Sequence, residues 1–407
     1  MRIDAPPRGT QGRGAMISVA EAVDRILALA TPLGTEAVPL AQAAGRVMMA
    51  PVVATRAQPP FAASAMDGYA IAASEAQPGA RLRVVGTARA GERFGAAVGP
   101  GAAVRIFTGA PLPDGTDHVV IQEDVDVDGD TITLREVGGT NVRPAGADFA
   151  AGARLEAPRR LRPVDLALMA AMNVAEVTVA RRPEVALIAT GDELVMPGST
   201  PGPDQIIASN VFALKAMAEA EGARTRLLPI ARDSLDSLET VLELAEGADV
   251  VVTIGGASVG DHDLVARATA ARGFAPAFWK IAMRPGKPLM AGRIGGALML
   301  GLPGNPVSAI VCGHVFLLPA LRALQGLTDV APRPVPARLG AAVAENGPRA
   351  HYMRATLRPG TPLPVATPYA SQDSALLSLL AEAGALVIRP PHAPALPEGA
   401  EVDILPL

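Results

Sequence analysis

The chain has 407 residues, 36 Lys and Arg against 40 Asp and Glu, and a formal net charge of −4. That is length for roughly two to four domains with real cores, and the charge excludes binding to nucleic acid by general attraction to its phosphates. One cysteine, Cys312, excludes a disulfide framework, and five scattered histidines do not compose a His/Cys metal cage.

Apolar residues make up 49% of the chain but aromatic ones only 3%, so the cores must be built from Ala, Val and Leu. No run reaches the roughly 20 uninterrupted apolar residues that span a bilayer. The nearest, over 296–321, is broken by Pro303, Gly304, Asn305, Pro306 and His314. The lead MRIDAPPRGTQGRGA has no apolar stretch of the signal-peptide kind, reads as disordered, and leaves Met16 as an alternative start. The expected setting is the cytoplasm, with neither nucleic acid nor a membrane as partner.

In chain order, 17–31 opens with Ser18 and, three later, Glu21, then sets Val19, Val23, Ile26, Leu27 and Ala30 on one face. That is an amphipathic helix with a capping box. From about 51 to 140, short runs such as RLRVVGTA, HVVIQEDV and TITLREV alternate with Gly, Pro and Asp-Gly turns, as in a small β domain. Asp128-Gly129 marks a hairpin. A helix is expected after Pro163, through 166–171, so that 17–58 and 140–182 pair as one elongated, helical N-terminal domain with 59–139 inserted.

After Pro183 the rhythm becomes α/β. VALIATGDEL, DVVVTIGG and GALMLGLPG read as buried strands of a parallel sheet. Ser209 can cap a helix ending at Gly222, and Leu235, Leu238, Val241, Leu242 and Ala245 mark another, stopped at Gly247. Ligands of such sheets sit at the carboxyl ends of the strands, where the Gly-rich loops emerge. A Pro-rich stretch from about 329 separates this domain, 183–328, from a second small β domain over 329–407. The expected fold is multidomain, α/β plus β, with 1–16 as a lead.

Three loops carry chemistry. VVVTIGGASVGDHD puts Gly255, Gly256, Ser258 and Gly260 directly after a strand. The glycines let backbone amides approach a phosphate and Ser258 adds a hydroxyl, although a tight turn explains the loop equally well. LMLGLPGNPVSA places Pro303, Gly304, Asn305, Pro306 and Ser308 where a strand meets a helix. Asn305 is the N-cap there, Pro306 the first helical residue, and the unpaired amides favour an anion. WKIAMRPGKPLM holds Lys280 and Lys287, two of only three lysines, with Arg284 between them, and reads as an oxyanion subsite.

Carboxylates are spread over other loops: Asp67 in PPFAASAMDGYAI, Asp148 in NVRPAGADF, Glu193 in TGDEL, Asp233 in ARDS, and Asp261 and Asp263 in SVGDHD. Several of them beside phosphate subsites suit hydrated Mg2+, which takes one or two carboxylates and shares phosphate oxygens. Singly, most read as turn or cap residues. Asp67 stands apart, because Phe61, Met66 and Tyr69 put its charge in an apolar setting, which costs free energy without a task. Cys312 reads as core and Trp279 as a packing anchor.

Taken together, PPFAASAMDGYAI, RIFTGAPLPDGTDHVVIQED, NVRPAGADF, ALIATGDEL, TIGGASVGDHD, WKIAMRPGKPLMAG and GLPGNPVSA resemble, in order, the motifs of the molybdopterin molybdenumtransferase family and of the corresponding domain of gephyrin. The resemblance covers residue 17 to the C-terminus. It implies a central α/β domain related to the molybdopterin adenylyltransferases, and insertion of molybdenum from molybdate into adenylylated molybdopterin with Mg2+-dependent release of AMP. It also implies a homodimer whose cleft takes the α/β domain of one chain and the N-terminal domains of the other. The adenylyltransferase and recipient molybdoenzymes are further implied partners.

Position by position, the family's functional acids match Asp67, Asp148, Glu193, Asp233 and Asp263, and its cleft threonine matches Thr108. Its basic loop matches Lys280 and Lys287, and its GLPGNP prolines match Pro303 and Pro306; Arg284 stands where some members have lysine. HYMRATL and SQDSALLSLL resemble the stretches that contribute Arg354 and Ser374 beside molybdate. In these terms Glu193 and Asp263 position Mg2+, Arg284, Lys287 and Arg354 hold molybdate, and Asp67 serves proton transfer or metal positioning. Two alternatives stand beside this reading, a molybdopterin adenylyltransferase and a non-catalytic scaffold of the same fold. The first needs only the middle domain, and the second has no use for the acid and lysine set.

Overall fold

The computed structural model describes residues 16–256 and 264–407. It forms two compact units, one joining the described part of Met1–Glu36 to Ala180–Leu407, the other spanning Ala37–Val179. Ser258, Gly260, Asp261 and Asp263 lie outside the described residues.

The first unit is built on a six-stranded sheet in the order Arg224–Leu227, Glu184–Ala189, Val250–Ile254, Ala297–Leu302, Met290–Ile294, Ala275–Phe278. The first four strands run parallel, and Met290–Ile294 is antiparallel to both its neighbours. The period of two decides which way each side chain faces. Leu187, Val252 and Leu300 enter one core, with the helices Val19–Leu29, Asn210–Ala220 and Pro306–Leu324. Ile188, Val251 and Met299 enter the other, with Leu235–Leu244 and Leu264–Ala271. Cover on both faces is why these strands read as unbroken apolar runs, and truncating one such Leu to Ala costs about 2–5 kcal/mol. Cys312 is buried in the first core, and Trp279 packs edge-on to Phe274 at 5.8 Å beside the second.

Two elements depart from the sequence expectation. The helix Val19–Leu29 buries Ala22, Val23 and Ile26 in the core of this sheet, not in a layer with 140–182. The chain is carried there because Ile17 bridges to Ile281, its N–H reaching the Lys280 carbonyl at 3.3 Å. Nor is the apolar run over 296–321 broken within its helix. Pro303–Asn305 ends a strand, and Pro306–Leu324 is then one helical segment of 19 residues with a π turn at Gly313–Leu317. Its mean hydropathy of 1.8 and its length would suffice to cross a membrane, but 78% of it is buried inside this fold.

Further on in the same unit, Met283–Arg284, Ala350–Arg358, Val365–Pro368, Val335–Leu339, Glu401–Pro406 and Ala385–Arg389 pair in that order, and Ala350–Arg358 also pairs with Ala385–Arg389. The last five strands therefore close into a small barrel, which removes free edges. Small side chains fill it, among them Ala337, Ala355, Ala366, Ala385 and Val387. The extra strand, Met283–Arg284, belongs to the basic loop, so that loop is fastened to the barrel by backbone hydrogen bonds, Arg284 lying opposite His351.

The second unit holds a six-stranded sheet in the order His118–Ile121, Gly68–Ile71, Ala102–Ile106, Arg81–Ala88, Thr131–Leu134, Val125–Asp128. The expected hairpin is present, with Asp128 opposite Thr131 and Gly129 at φ +62°. The flanking segments do pair as the sequence suggests: Val52–Val53 with Arg154–Leu155, and Val47–Met48 with Arg159–Arg160. The helix Pro163–Ala171 is capped by its third residue, Asp165, whose carboxylate accepts from the Arg162 N–H at 2.9 Å and from Arg159 at 2.7 Å.

Candidate active site

In the α/β sheet Ala189 lies opposite Ile254, and Ile254 opposite Leu302. The three loops that follow, at Thr190-Gly191, Gly255-Gly256 and Pro303-Gly304, therefore leave the sheet side by side. With Lys280 and Lys287 they wall a cavity of about 850 Å3, within the usual range for small-molecule sites. Gly255 and Gly256 have φ of +97° and +62°. A Cβ on Gly255 would stand 2.7 Å from the Thr190 carbonyl oxygen, and one on Gly256 2.6 Å from Val265. Only glycine fits both. The Gly255 N–H, however, donates to the Leu302 carbonyl at 3.0 Å, so Gly255 offers a ligand a bare wall and not the amide expected of it.

On the acidic side of this cavity are Glu193 and Asp233. Arg232 pins their loop by donating to the carbonyls of Asp192 at 3.0 Å and Leu194 at 3.1 Å. The Asp233 N–H donates to the Asp192 carboxylate at 3.1 Å. Partial desolvation at the cavity wall, and then the like charges of Asp192 and Glu193, hold the Asp233 carboxyl above the usual range. Like charges kept together in this way favour a cation. Among the described residues no three His, Cys, Asp or Glu side chains converge on one point. The acids therefore suit a hydrated ion that takes one or two carboxylates, such as Mg2+, and do not form a closed cage.

A second chamber, of about 500 Å3, is lined by Arg284, Ser308, Arg349 and Ser374, and it shares Lys287, Pro288 and Asn305 with the first. Asn305 does not cap the helix that begins at Pro306. Its Nδ2 donates instead to the Ser374 hydroxyl at 3.1 Å, and the Val307 N–H donates to the Ser374 carbonyl at 3.2 Å. One amide of the helix start is thus already used.

Arg354 is not in the wall of either chamber. It is 1% exposed, and its guanidinium donates to the carbonyls of Leu376 at 2.8 Å and Ser371 at 3.3 Å. Burial depresses its pKa. Its work is to hold the loop that carries Ser374. The cation presented to the chamber here is Arg349, which lies two residues before HYMRATL and outside any of the matching motifs. Arg349 sits in a bend just before the strand Ala350–Arg358, whereas Arg354 lies within that strand with its side chain in the interior. Asn210 was also missed; its Nδ2 donates to the Gly304 carbonyl at 2.7 Å, holding the third loop in place.

Asp67, Thr108 and Asp148 belong to the second unit. Both the Thr108 N–H and its hydroxyl donate to Asp67 Oδ1 at 2.8 Å. These bonds, with a smaller contribution from Arg105, hold the Asp67 carboxyl below the usual range. Arg105 is itself stacked between the rings of Tyr69 and Phe107, at 4.9 and 5.0 Å. The apolar setting expected for this charge is not found: Asp67 is half-buried, and one of its carboxylate oxygens accepts two hydrogen bonds. Asp148 stands exposed on a loop whose N–H reaches the Gln58 carbonyl at 2.9 Å.

Residues 17–173 match the family model for the MoeA N-terminal region (domain I and II), 186–323 the Probable molybdopterin binding domain, and 336–407 the MoeA C-terminal region (domain IV). The molybdopterin molybdenumtransferase of Haemophilus influenzae is 38% identical over 317 residues, 76% of this chain and 78% of that protein. The chain belongs to the molybdopterin molybdenumtransferase family. The Staphylococcus aureus (strain MSSA476) molybdopterin molybdenumtransferase is 30% identical over 398 residues, 96% of this chain and 95% of the relative. The crystal structure of the molybdopterin biosynthesis MoeA protein from Pyrococcus horikoshii superposes with a TM-score of 0.81 at 30% identity, over 96% of this chain and 99% of that one. In this molybdopterin molybdenumtransferase family member, both chambers fall between the middle and C-terminal matched regions, with every residue named above for them lying in 186–323 or 336–407.

Proposed function

We propose that this enzyme transfers molybdenum from molybdate to molybdopterin presented as its adenylylated form, releasing AMP. The observation that carries the reading is the pair of chambers joined at Lys287, Pro288 and Asn305. The larger, walled by close backbone and flanked by two lysines, takes a phosphorylated ligand. The smaller, with Arg284, Arg349 and Lys287 around hydroxyls of Ser308 and Ser374, takes a tetrahedral dianion; guanidinium forks match such oxyanions. Their shared edge brings the two reactants together, which is where an enzyme of this kind gains most.

Glu193 and Asp233 would hold Mg2+, which when bound offsets negative charge on phosphoanhydride oxygens. Lys280 and Lys287 bind and orient the phosphates, and Arg284 and Arg349 orient the molybdate oxygens. Asp67, ionised at neutral pH, acts as a hydrogen-bond acceptor and not as an acid. In the cytoplasmic homodimer we infer, Asp67, Thr108 and Asp148 of one copy serve the chambers of the other. The adenylyltransferase that makes the substrate and the molybdoenzymes that receive the product are the proposed partners.

The test is AMP release from adenylylated molybdopterin with Mg2+, with and without molybdate. Release that depends on molybdate, with molybdenum retained on the pterin, is the expected result. Release indifferent to molybdate, or none, overturns the reading.

A further inference from the structure

One wall of the larger chamber is apolar and exposed. Ile206–Ile207 forms a two-residue strand paired in parallel with Leu194–Val195. Both isoleucines line the chamber, yet they remain 58% and 38% exposed. Met196 and Phe212, nearby in the chain, are exposed as well. Branched apolar chains left in water forgo the free energy of burial, and several of them beside a polar pocket mark a surface that something covers.

This wall is held in position. The Ile206 N–H donates to the Glu193 carbonyl at 2.8 Å, and the Ala208 N–H to the Val195 carbonyl at 2.9 Å. It is thus fixed relative to the acidic side of the chamber. Lys287, Pro288 and Asn305 border both chambers, whereas Ile206 and Ile207 border only the larger. A ligand held by its anionic part at the shared edge and lying in the larger chamber has the isoleucines within the same enclosure. Among the described residues no Phe, Tyr or Trp lines the chamber, so the flat face of a ring has only aliphatic side chains to pack on.

We propose that Ile206 and Ile207 form a shelf on which the fused, planar heteroaromatic ring of the substrate packs, adding affinity for the ring to that for its phosphates. The inference rests on the function proposed above, which supplies two such rings, adenine and pterin. The chemistry of the shelf suits either.

The experiment uses the full chain and the double variant Ile206→Ser/Ile207→Ser, with calorimetric binding of AMP, of molybdopterin and of inorganic pyrophosphate, and light scattering for oligomeric state. Expected is an approximately tenfold loss of affinity for one ring-bearing ligand, with pyrophosphate binding unchanged. Loss for AMP names adenine as the ring on the shelf, and loss for molybdopterin names the pterin. Ile206→Val/Ile207→Val keeps the apolar face and should bind within about twofold of wild type. Both positions are exposed, so the fold should survive; the single Ile206→Ser variant covers the case that the double does not. Unchanged ring affinity beside normal wild-type binding overturns the shelf and leaves the proposed function standing. Equal loss for pyrophosphate, or a change confined to oligomeric state, also overturns it, the latter assigning the surface to a second copy of the chain. Wild-type protein that binds neither AMP nor molybdopterin overturns both.

Discussion

The side-chain amide of Asn305 donates to the hydroxyl of Ser374 at 3.1 Å, across 69 positions of sequence. It runs from the head of a core helix to the loop that Arg354 holds, at the edge where the two chambers meet. Asn305→Ser keeps a residue able to cap the helix and removes the reach to Ser374. One such hydrogen bond is worth about 1 kcal/mol, or roughly fivefold in an equilibrium. KM for molybdate, followed by AMP release, should rise about that much while Tm stays within about 2 °C. A shift in Tm with KM unchanged would mean that the joint serves only the fold.

Arg349 and Arg354 lie five residues apart and should separate cleanly by experiment. Arg354→Met removes the buried guanidinium that donates to the carbonyls of Leu376 and Ser371, at a cost of about 1–2 kcal/mol measured by chemical denaturation. Arg349→Ala removes a charged group from the chamber wall. It should weaken molybdate binding about tenfold or more, with stability within about 0.5 kcal/mol of wild type. The opposite pattern would return Arg354 to the oxyanion subsite.

Asp67 is the candidate-site acid that the structure holds ionised. Its carboxyl is held below the usual range first by the Thr108 N–H and then by the Thr108 hydroxyl. The folded value is thus depressed below an unfolded one of about 3.9. The stability it contributes is present above the unfolded pKa and is lost as pH falls through the folded value. Thr108→Val keeps shape and N–H but removes the hydroxyl, so the Asp67 titration seen by carboxyl NMR should move up toward the ordinary value. Asp67 stays ionised at pH 7 either way, so any loss of kcat in this variant should come without a new limb in the pH profile between about pH 5 and 8. A limb in that interval that moves with Thr108→Val would instead make Asp67 a general acid.

How far all this could be read from the chain differs from part to part, for physical reasons. Strands buried on both faces leave unbroken apolar runs, so Glu184–Ala189, Val250–Ile254 and Ala297–Leu302, with their glycine loops, are legible in sequence. An amphipathic face shows that Val19–Leu29 is buried but not against what; the Ile17–Ile281 bridge that decides it joins segments far apart. Barrel closure by Ala350–Arg358 on Ala385–Arg389 is hidden in the same way. Asn305 carries a true capping preference, yet Ser374, brought near only by the fold, takes its side chain. Arg354 shows that a basic residue in a matching motif does not reveal which face of its strand it occupies.

Asp233 offers the sharpest division between stability and activity. Partial loss of surrounding water at the cavity wall, and then the charges of Asp192 and Glu193, raise its pKa, although the residue as a whole stays exposed. An acid with a raised folded pKa favours the folded state only while protonated. The deficit is absent below the unfolded value of about 3.9, grows as pH rises through the folded value, and is complete at neutral pH. Asp233→Asn is nearly isosteric and keeps the backbone N–H that donates to Asp192. Because the residue is exposed, the relief should be modest, about 0.5 kcal/mol at pH 7 and vanishing near pH 3, read as a small rise in Tm. AMP release should fall about tenfold or more, with a higher Mg2+ concentration needed for half-maximal rate. Gain of stability with loss of activity is what a charge retained for a ligand produces. Loss of both together would show that Asp233 is needed for the turn that Arg232 pins.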